Sequence, residues 1–271
     1  MLFRSITQKV GNVVYADVVG ALADYGAFDL WVISNRDSGL INADLALPFA
    51  FKYNDGKTVS MGTVAVALNG TSTLPEEVLA IVETVISTMN IVLGELIPGL
   101  KIAIITHGVE LVKDGTSGKV AELVTDRDGI IIPLRYESDG IKKIISLLHM
   151  LIQVYNDASM TLVVDELDTG IFEYLLGELL DILSDTGSGQ FIFTAHNLRP
   201  LEKLDKKSII FTTSNPANRY VRIPNLKSNH NLRDCYYRTI MLGGQEEELY
   251  SKTNTYAISY ALDLAGSGHG E

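Results

Sequence analysis

TLVVDELDTG, residues 161–170, decides the fold. Leu162 to Val164 is a short apolar run read as a strand, and Asp165-Glu166 ends it abruptly. In a parallel sheet, ligands bind beyond the carboxyl ends of the strands. An acidic pair at such an end has two readings. It is an exposed start to a loop, or Asp165 holds Mg²⁺ while Glu166 positions a water. Working outward, apolar residues upstream recur at helical spacing: Ile141, Ile144, Ile145, Leu148, Leu151 and Ile152. Downstream the chain alternates. A helix through FEYLLGELLDIL (172–183) precedes a strand in GQFIFTAH (189–196), then a short helix at RPLEKL (199–204) and a strand at SIIFTT (208–213). Uninterrupted apolar strands between helices predict an α/β fold with a mostly parallel sheet, covered on both faces.

The upstream helix begins at RYESDG (135–140). Ser138 or Asp139 before an apolar run is a start signal, with the side chain accepting from free N–H groups of the first turn. The same start, with Gly140 allowing close backbone approach, also suits a phosphate. Both readings stay open on these residues alone. So does His196, which ends the second apolar strand. It is a structural polar group or a hydrogen-bonding partner for a phosphate.

The first 130 residues read differently. A helix is expected from about Val10 to Tyr25, weakened by Gly11 and Gly20, then a loop over SNRDSGLINADLALP (34–48). LPFAFKYN (47–54) and KTVSMGTVAVAL (57–68) flank Asp55-Gly56 and predict a hairpin. Pro75, Glu76 and Glu77 open a long helix carrying Val78, Val82, Val85, Ile86 and Met89. LIPGL ends it. Short strands follow at 101–106, 109–114 and 119–126, with DGTSG (114–118) as a turn, and GIIIPL (129–134) is a further strand in which Pro133 favours its end or an edge.

The chain's 271 residues, 46% hydrophobic and 20% charged, suffice for a sizeable core. A net charge of -11 argues against wholesale coating of nucleic acid. A local basic run at Arg219, Arg222, Arg233 and Arg238 leaves nucleic-acid binding open, with ion pairs inside the fold as the plainer reading. Cys235 is the single cysteine, which excludes an intrachain disulfide and a thiolate metal cage and fits a cytoplasmic location. The N-terminal segment lacks the pattern of a signal peptide, and no uninterrupted apolar run reaches about 18 residues, so no membrane span is expected.

Taken together, ESDG (137–140), TLVVDE (161–166), LDTG (167–170) and TAHN (194–197) occur in an order that resembles the C-terminal lobe of ABC-type ATPase heads. Within these, the chain is most similar to bacterial AAA family ATP-binding proteins related to the OLD (overcoming lysogenisation defect) ATPases. The resemblance covers about residues 130–244. It implies residues 1–130 as the end of a helical insertion plus returning strands, and residues 131–271 as the ATPase C-terminal lobe. It implies ATP and Mg²⁺ as ligands and a second ATPase head as partner. Glu166 and His196 would be catalytic, Asp165 the metal ligand, TLVVDE the Walker B strand, and Ser138, Asp139, Gly140 and Asp168 the residues facing nucleotide. In the family, the signature Ser and Gly contact the γ-phosphate held by the opposite subunit.

One family element is missing. GxxxxGK followed by Ser or Thr occurs nowhere in the chain. Gly56-Lys57-Thr58 has Phe51 where the first glycine belongs, and Gly118-Lys119 is followed by Val120. Three explanations compete: a shortened chain, a partner that carries the phosphate loop, and a non-hydrolysing relative. The intact acidic pair favours the first as an expectation. The isolated chain is expected to be inactive. The alternative function is an interaction or dimerisation module that keeps the head's surface.

Overall fold

The structure is a computed structural model describing residues 13–34, 45–54, 59–112, 115–222, 232–242 and 253–266. The chain divides into two compact units, residues 1–197 and 198–271.

In the first unit, helix α1 (Val13–Asp24) runs into a π-helical turn (Tyr25–Asp29) and strand β1 (Leu30–Ile33). The sequence reading left β1 unassigned. A four-residue run, Leu-Trp-Val-Ile, straight after a helix gives too few residues for periodicity to show. Strands β2 (Ala46–Asn54) and β3 (Val59–Ala67) pair antiparallel in the register Asn54↔Val59, which is the expected hairpin. Its turn at Asp55-Gly56, with the lysine-bearing GKT segment, lies outside the described residues. Strand β4 (Ser72–Pro75) leads into helix α2 (Glu76–Leu96).

Strand β5 (Leu100–Leu111) is one long strand where two were expected. A bulge between Thr106 and Gly108 keeps it paired with β6 (Ser117–Arg127), so His107 interrupts the ladder without ending it. Gly118-Lys119 lies inside β6, paired with Pro75 and Leu74, and so belongs to a ladder and not to a loop before a helix. Strand β7 (Ile130–Pro133) pairs with the end of β6 at the expected edge. Asn90 on α2 docks the helix against β5. Its amide donates to the carbonyl of Ile102 and accepts from the Ile102 N–H, both at 2.8 Å, satisfying an edge strand's backbone with a side chain. Among the described residues α2 is the one helix long and apolar enough to cross a membrane. Leu79, Val82, Val85, Ile86, Met89 and Leu93 are buried in the core with Leu47, Phe49 and Ile102.

Helix α3 (Asp139–Asn156) is the centre of this unit. The sequence suggests one apolar face; the helix is buried on every side from Lys142 to Leu151. Ile145 and Leu148 join the core beneath the antiparallel strands. Ile144, Leu147 and Leu151 pack towards Leu167, Leu180 and Phe191. Two strand layers flank the helix, and two of its faces are used.

The second layer is a three-stranded parallel sheet. Strand β8 (Thr161–Val164) lies between β1 and β9 (Gln190–Phe193), in the registers Val32↔Val163 and Val163↔Ile192. Helix α4 (Glu173–Thr186) crosses from β8 to β9. Backbone enters β9 at Gly189, where an added Cβ would stand 2.7 Å from the carbonyls of Asp157 and Met160. The expected cover on both sheet faces holds for one. Val32 and Ile192, neighbours of Val163 on the other face, are 63% and 46% exposed.

The second unit holds α5 (Pro200–Lys203), the two-residue strands β10 (Phe211–Thr212) and β11 (Tyr220–Val221), α6 (Leu232–Leu242) and the exposed α7 (Thr255–Gly266). SIIFTT does not continue the parallel alternation. Only Phe211 and Thr212 form a strand, and they pair antiparallel with β11. The arginine run serves the fold in part. Arg233 and Arg199 both donate to Glu202 at 2.5 Å, and Arg222 donates to the carbonyl of Lys207.

Candidate functional site

The carboxyl ends of β8 and β9 are adjacent, which brings the acidic pair and His196 together. Thr194, the first residue past β9, ties the ends to each other. Its hydroxyl accepts from the Glu166 N–H at 2.8 Å and donates to Asp165 Oδ1 at 2.6 Å. Its amide donates to Val164 and its carbonyl accepts from Leu167, so the pairing runs one step beyond the strands. Glu166 has φ of +48°, a left-handed conformation that is rare for a residue with a side chain. That turn points its carboxylate at His196, with Oε1 3.8 Å from Nε2. His196 is open to solvent and Glu166 is half-buried, an arrangement that leaves both accessible to a ligand.

Asp168 does something the sequence did not suggest. Its carboxylate accepts from the backbone N–H groups of His196, at 3.1 Å, and Asn197, at 2.7 Å. It therefore clamps the loop after β9 to the loop after β8. A carboxylate accepting two N–H bonds fixes the backbone that carries His196.

The ESDG segment is brought to the same end of the unit. Glu137 is 8% exposed and accepts from Thr125 Oγ1 at 2.9 Å and from Arg127 at 3.1 and 2.8 Å. Burial pushes this carboxyl up; the bonds from Arg127 and Thr125 outweigh it and hold the group below the usual glutamate range. Ser138 is the N-cap of α3, its Oγ accepting from the Ile141 N–H at 3.4 Å, as the capping reading expects. Asp139 pairs with the buried ammonium of Lys142 at 2.9 Å. Gly140 meets Gly170. A Cβ on Gly140 would lie 2.1 Å from the Gly170 carbonyl oxygen, and Gly170 has φ of +79°. The close approach that demands a glycine here is to the chain's own backbone in the LDTG turn.

Two residues escaped the sequence reading. Thr194 carried a weak signal, since it follows an apolar strand and precedes His196 by two. Lys143 carried none: in IKKIISLLHM it looks like one of two solvated lysines. It is 5% exposed, and its ammonium donates to the Glu166 carbonyl at 2.5 Å. Burial pushes Lys143 below the usual lysine range, and Asp168, Glu166 and Asp165 pull it back up.

A resident metal cage does not fit these residues. Among the described residues no three His, Cys, Asp or Glu side chains converge to hold an ion. Mg²⁺ bound through phosphates asks for one or two carboxylates only, and Asp165, exposed and with one oxygen engaged by Thr194, meets that lesser requirement.

No protein-family model matches the chain, and no curated protein matches it. Solved structures do. An SMC head bound to the C-winged helix domain of ScpA is similar at 17% identity and a TM-score of 0.32, over 44% of this chain and 36% of that one. This chain thus spans about a third of that relative's length. A structure from work on ATP-driven dimerization and DNA-stimulated activation of SMC ATPases is similar at 16% identity and a TM-score of 0.41, over 63% of this chain and 99% of that one. A Smc head domain with a coiled coil and joint from Pyrococcus yayanosii is similar at 19% identity and a TM-score of 0.35, over 47% of this chain and 24% of that one. Likenesses of this size leave the functional reading to the geometry of the acidic turn.

Proposed function

We propose that the chain is the acidic half of an ATP-hydrolysing site, a module of an ABC-type, OLD-like ATPase head. On this reading residues 131–271 supply the C-terminal lobe. The observation that carries it is the meeting of Glu166 and His196 at the ends of two adjacent parallel strands, with Thr194 bridging Asp165 and Glu166. Phosphoryl transfer to water needs little covalent chemistry from the protein, so positioning and charge do most of the work. Glu166 orients and polarises the attacking water. His196, exposed at 3.8 Å from it, is within reach of the same terminal phosphate and donates a hydrogen bond there. Asp165 is the residue that would hold Mg²⁺, whose charge would offset that of the phosphates. Ser138, Asp139 and Gly140 begin a helix whose first N–H groups suit the phosphate of a nucleotide held by a second head.

The chain contains no GxxxxGK motif to cradle the inner phosphates, so the proposal assigns that task to a separate segment or partner. The isolated chain then binds Mg-ATP weakly. The experiment is the native assembly, purified through a tag on this chain, with and without Glu166→Gln. The amide keeps size and hydrogen bonding but loses the charge, so ATP binding persists and turnover stops. Normal turnover in the variant returns the acidic pair to an exposed strand end. A second reading has an observation of its own. Glu137, Ser138, Asp139 and Gly140 all have partners within the chain, so this helix start is satisfied without a phosphate, as in an interaction module that keeps the head's surface and does not hydrolyse. An assembly that forms but hydrolyses no ATP would establish it.

A further inference from the structure

We propose that Lys143 is a positioning residue that holds Glu166 in its left-handed conformation and so sets where its carboxylate stands. The inference rests on the reading of Glu166 as the water-polarising group.

An ammonium taken out of water loses several kcal/mol of solvation unless something replaces it. Lys143 sits in the second turn of a helix buried on all sides from Lys142 to Leu151, where an apolar residue is the natural choice. A methionine would fill much the same length without that penalty. What it could not do is donate to the Glu166 carbonyl. The donated bond falls on the one described residue of the acidic turn that has a side chain and a positive φ. A left-handed conformation is unfavourable for such a residue, so bonds from outside must hold it.

Those bonds are present at both ends of Glu166. Its N–H is fixed by the Thr194 hydroxyl on the β9 side. Its carbonyl is fixed by Lys143 from the α3 side and by the Thr169 N–H, at 3.2 Å, from within the turn. With N–H and carbonyl both pinned, the direction of the Cα–Cβ bond is set. The carboxylate then has its own rotamers left, and in the one observed Oε2 accepts from the Thr169 hydroxyl at 3.4 Å while Oε1 faces His196. Thr194 acts from the strand and Lys143 from the central helix, so the turn is held between two layers. The helix that begins with ESDG thereby reaches the hydrolytic carboxylate through one side chain.

The test begins on the chain alone, with Lys143→Met and amide hydrogen exchange followed by mass spectrometry. Peptides covering residues 165–170 should exchange about tenfold faster or more, the release expected when a local opening loses a bond of about 1.4 kcal/mol. Peptides from the rest of α3 and from β8 should keep wild-type rates. Should Lys143→Met fail to fold, Lys143→Leu, which also lacks a donor, carries the same expectation. Unchanged exchange in the turn overturns the proposal.

The native assembly gives the second readout. Lys143→Met should lower kcat about tenfold or more with KM for Mg-ATP within about twofold, the pattern of an interaction made in the transition state. If Glu166→Gln stops turnover while Lys143→Met leaves kcat unchanged, the role of Lys143 is refuted and the ATPase reading stands. If Glu166→Gln has no effect, the ATPase reading fails, and the exchange experiment still decides whether Lys143 holds the turn.

Discussion

His149 offers a test of how α3 is buried. It is 6% exposed on the central helix, and neither ring nitrogen has a hydrogen-bond partner. Burial pushes its pKa from 6.5 down to about 4. The unfolded chain therefore binds a proton between these values that the folded chain does not, and stability falls as pH drops through that window. With an unfolded value near 6.5 and a folded value of about 4, the loss relative to pH 8 is about 2 kcal/mol at pH 5 and about 3 kcal/mol at pH 4. His149→Leu removes the titration and two unsatisfied nitrogens, and it keeps an apolar side chain in an apolar setting. Denaturant unfolding of both proteins at pH 8 and pH 5 measures the difference. The variant should be at least as stable at pH 8, and its advantage should grow by about 2 kcal/mol at pH 5. Parallel pH profiles for the two proteins would refute the reasoning and place His149 in contact with water.

Two further substitutions test the packing around ESDG. Gly140→Ala puts a carbon 2.1 Å from the Gly170 oxygen. Backbone must move, at about 2 kcal/mol, which a thermal melt would show as a fall of roughly 4–8 °C. Arg127→Ala leaves the Glu137 carboxylate buried without its bidentate partner. The loss should be about 2 kcal/mol at neutral pH, below the range for a fully buried pair because Arg127 is partly exposed. Since pairing lowers the Glu137 pKa, that difference should shrink as pH falls through the ordinary glutamate range, which urea unfolding from pH 7 to pH 3 would follow.

Much of this was legible in the sequence, for physical reasons that differ by element. Helix α2 could be read because Glu76, Glu77 and a regular apolar row specify a helix locally, and its row is the buried one. Strand β8 could be read because an apolar run cut off by two carboxylates has few other places to go. Helix α3 could be read as a helix, whereas its complete burial could not. Lys142, Lys143, Ser146 and His149 look like a solvated face until Asp139 and Glu166 are seen to receive the lysines. A His-Gly pair inside the long strand β5 looks like a break in the sequence, and only pairing with β6 shows a bulge. Strand β1 was missed since its identity comes from a partner about 130 residues away. Asp165, Glu166 and His196 were identifiable as strand-end residues, and their meeting depends on β8 and β9 being neighbours. The bonds that fix them, from Thr194, Asp168 and Lys143, are long-range, and local pattern does not show which groups they join.

The proposed function depends on Glu166 polarising water for ATP hydrolysis. ATP binding and turnover by the native assembly, measured side by side for the wild type and Glu166→Gln, test it most directly. Glu166→Gln should retain ATP binding with turnover reduced by about a hundredfold or more, the scale expected when a catalytic base loses its charge. Equal turnover in both assemblies, or none in either, would contradict it.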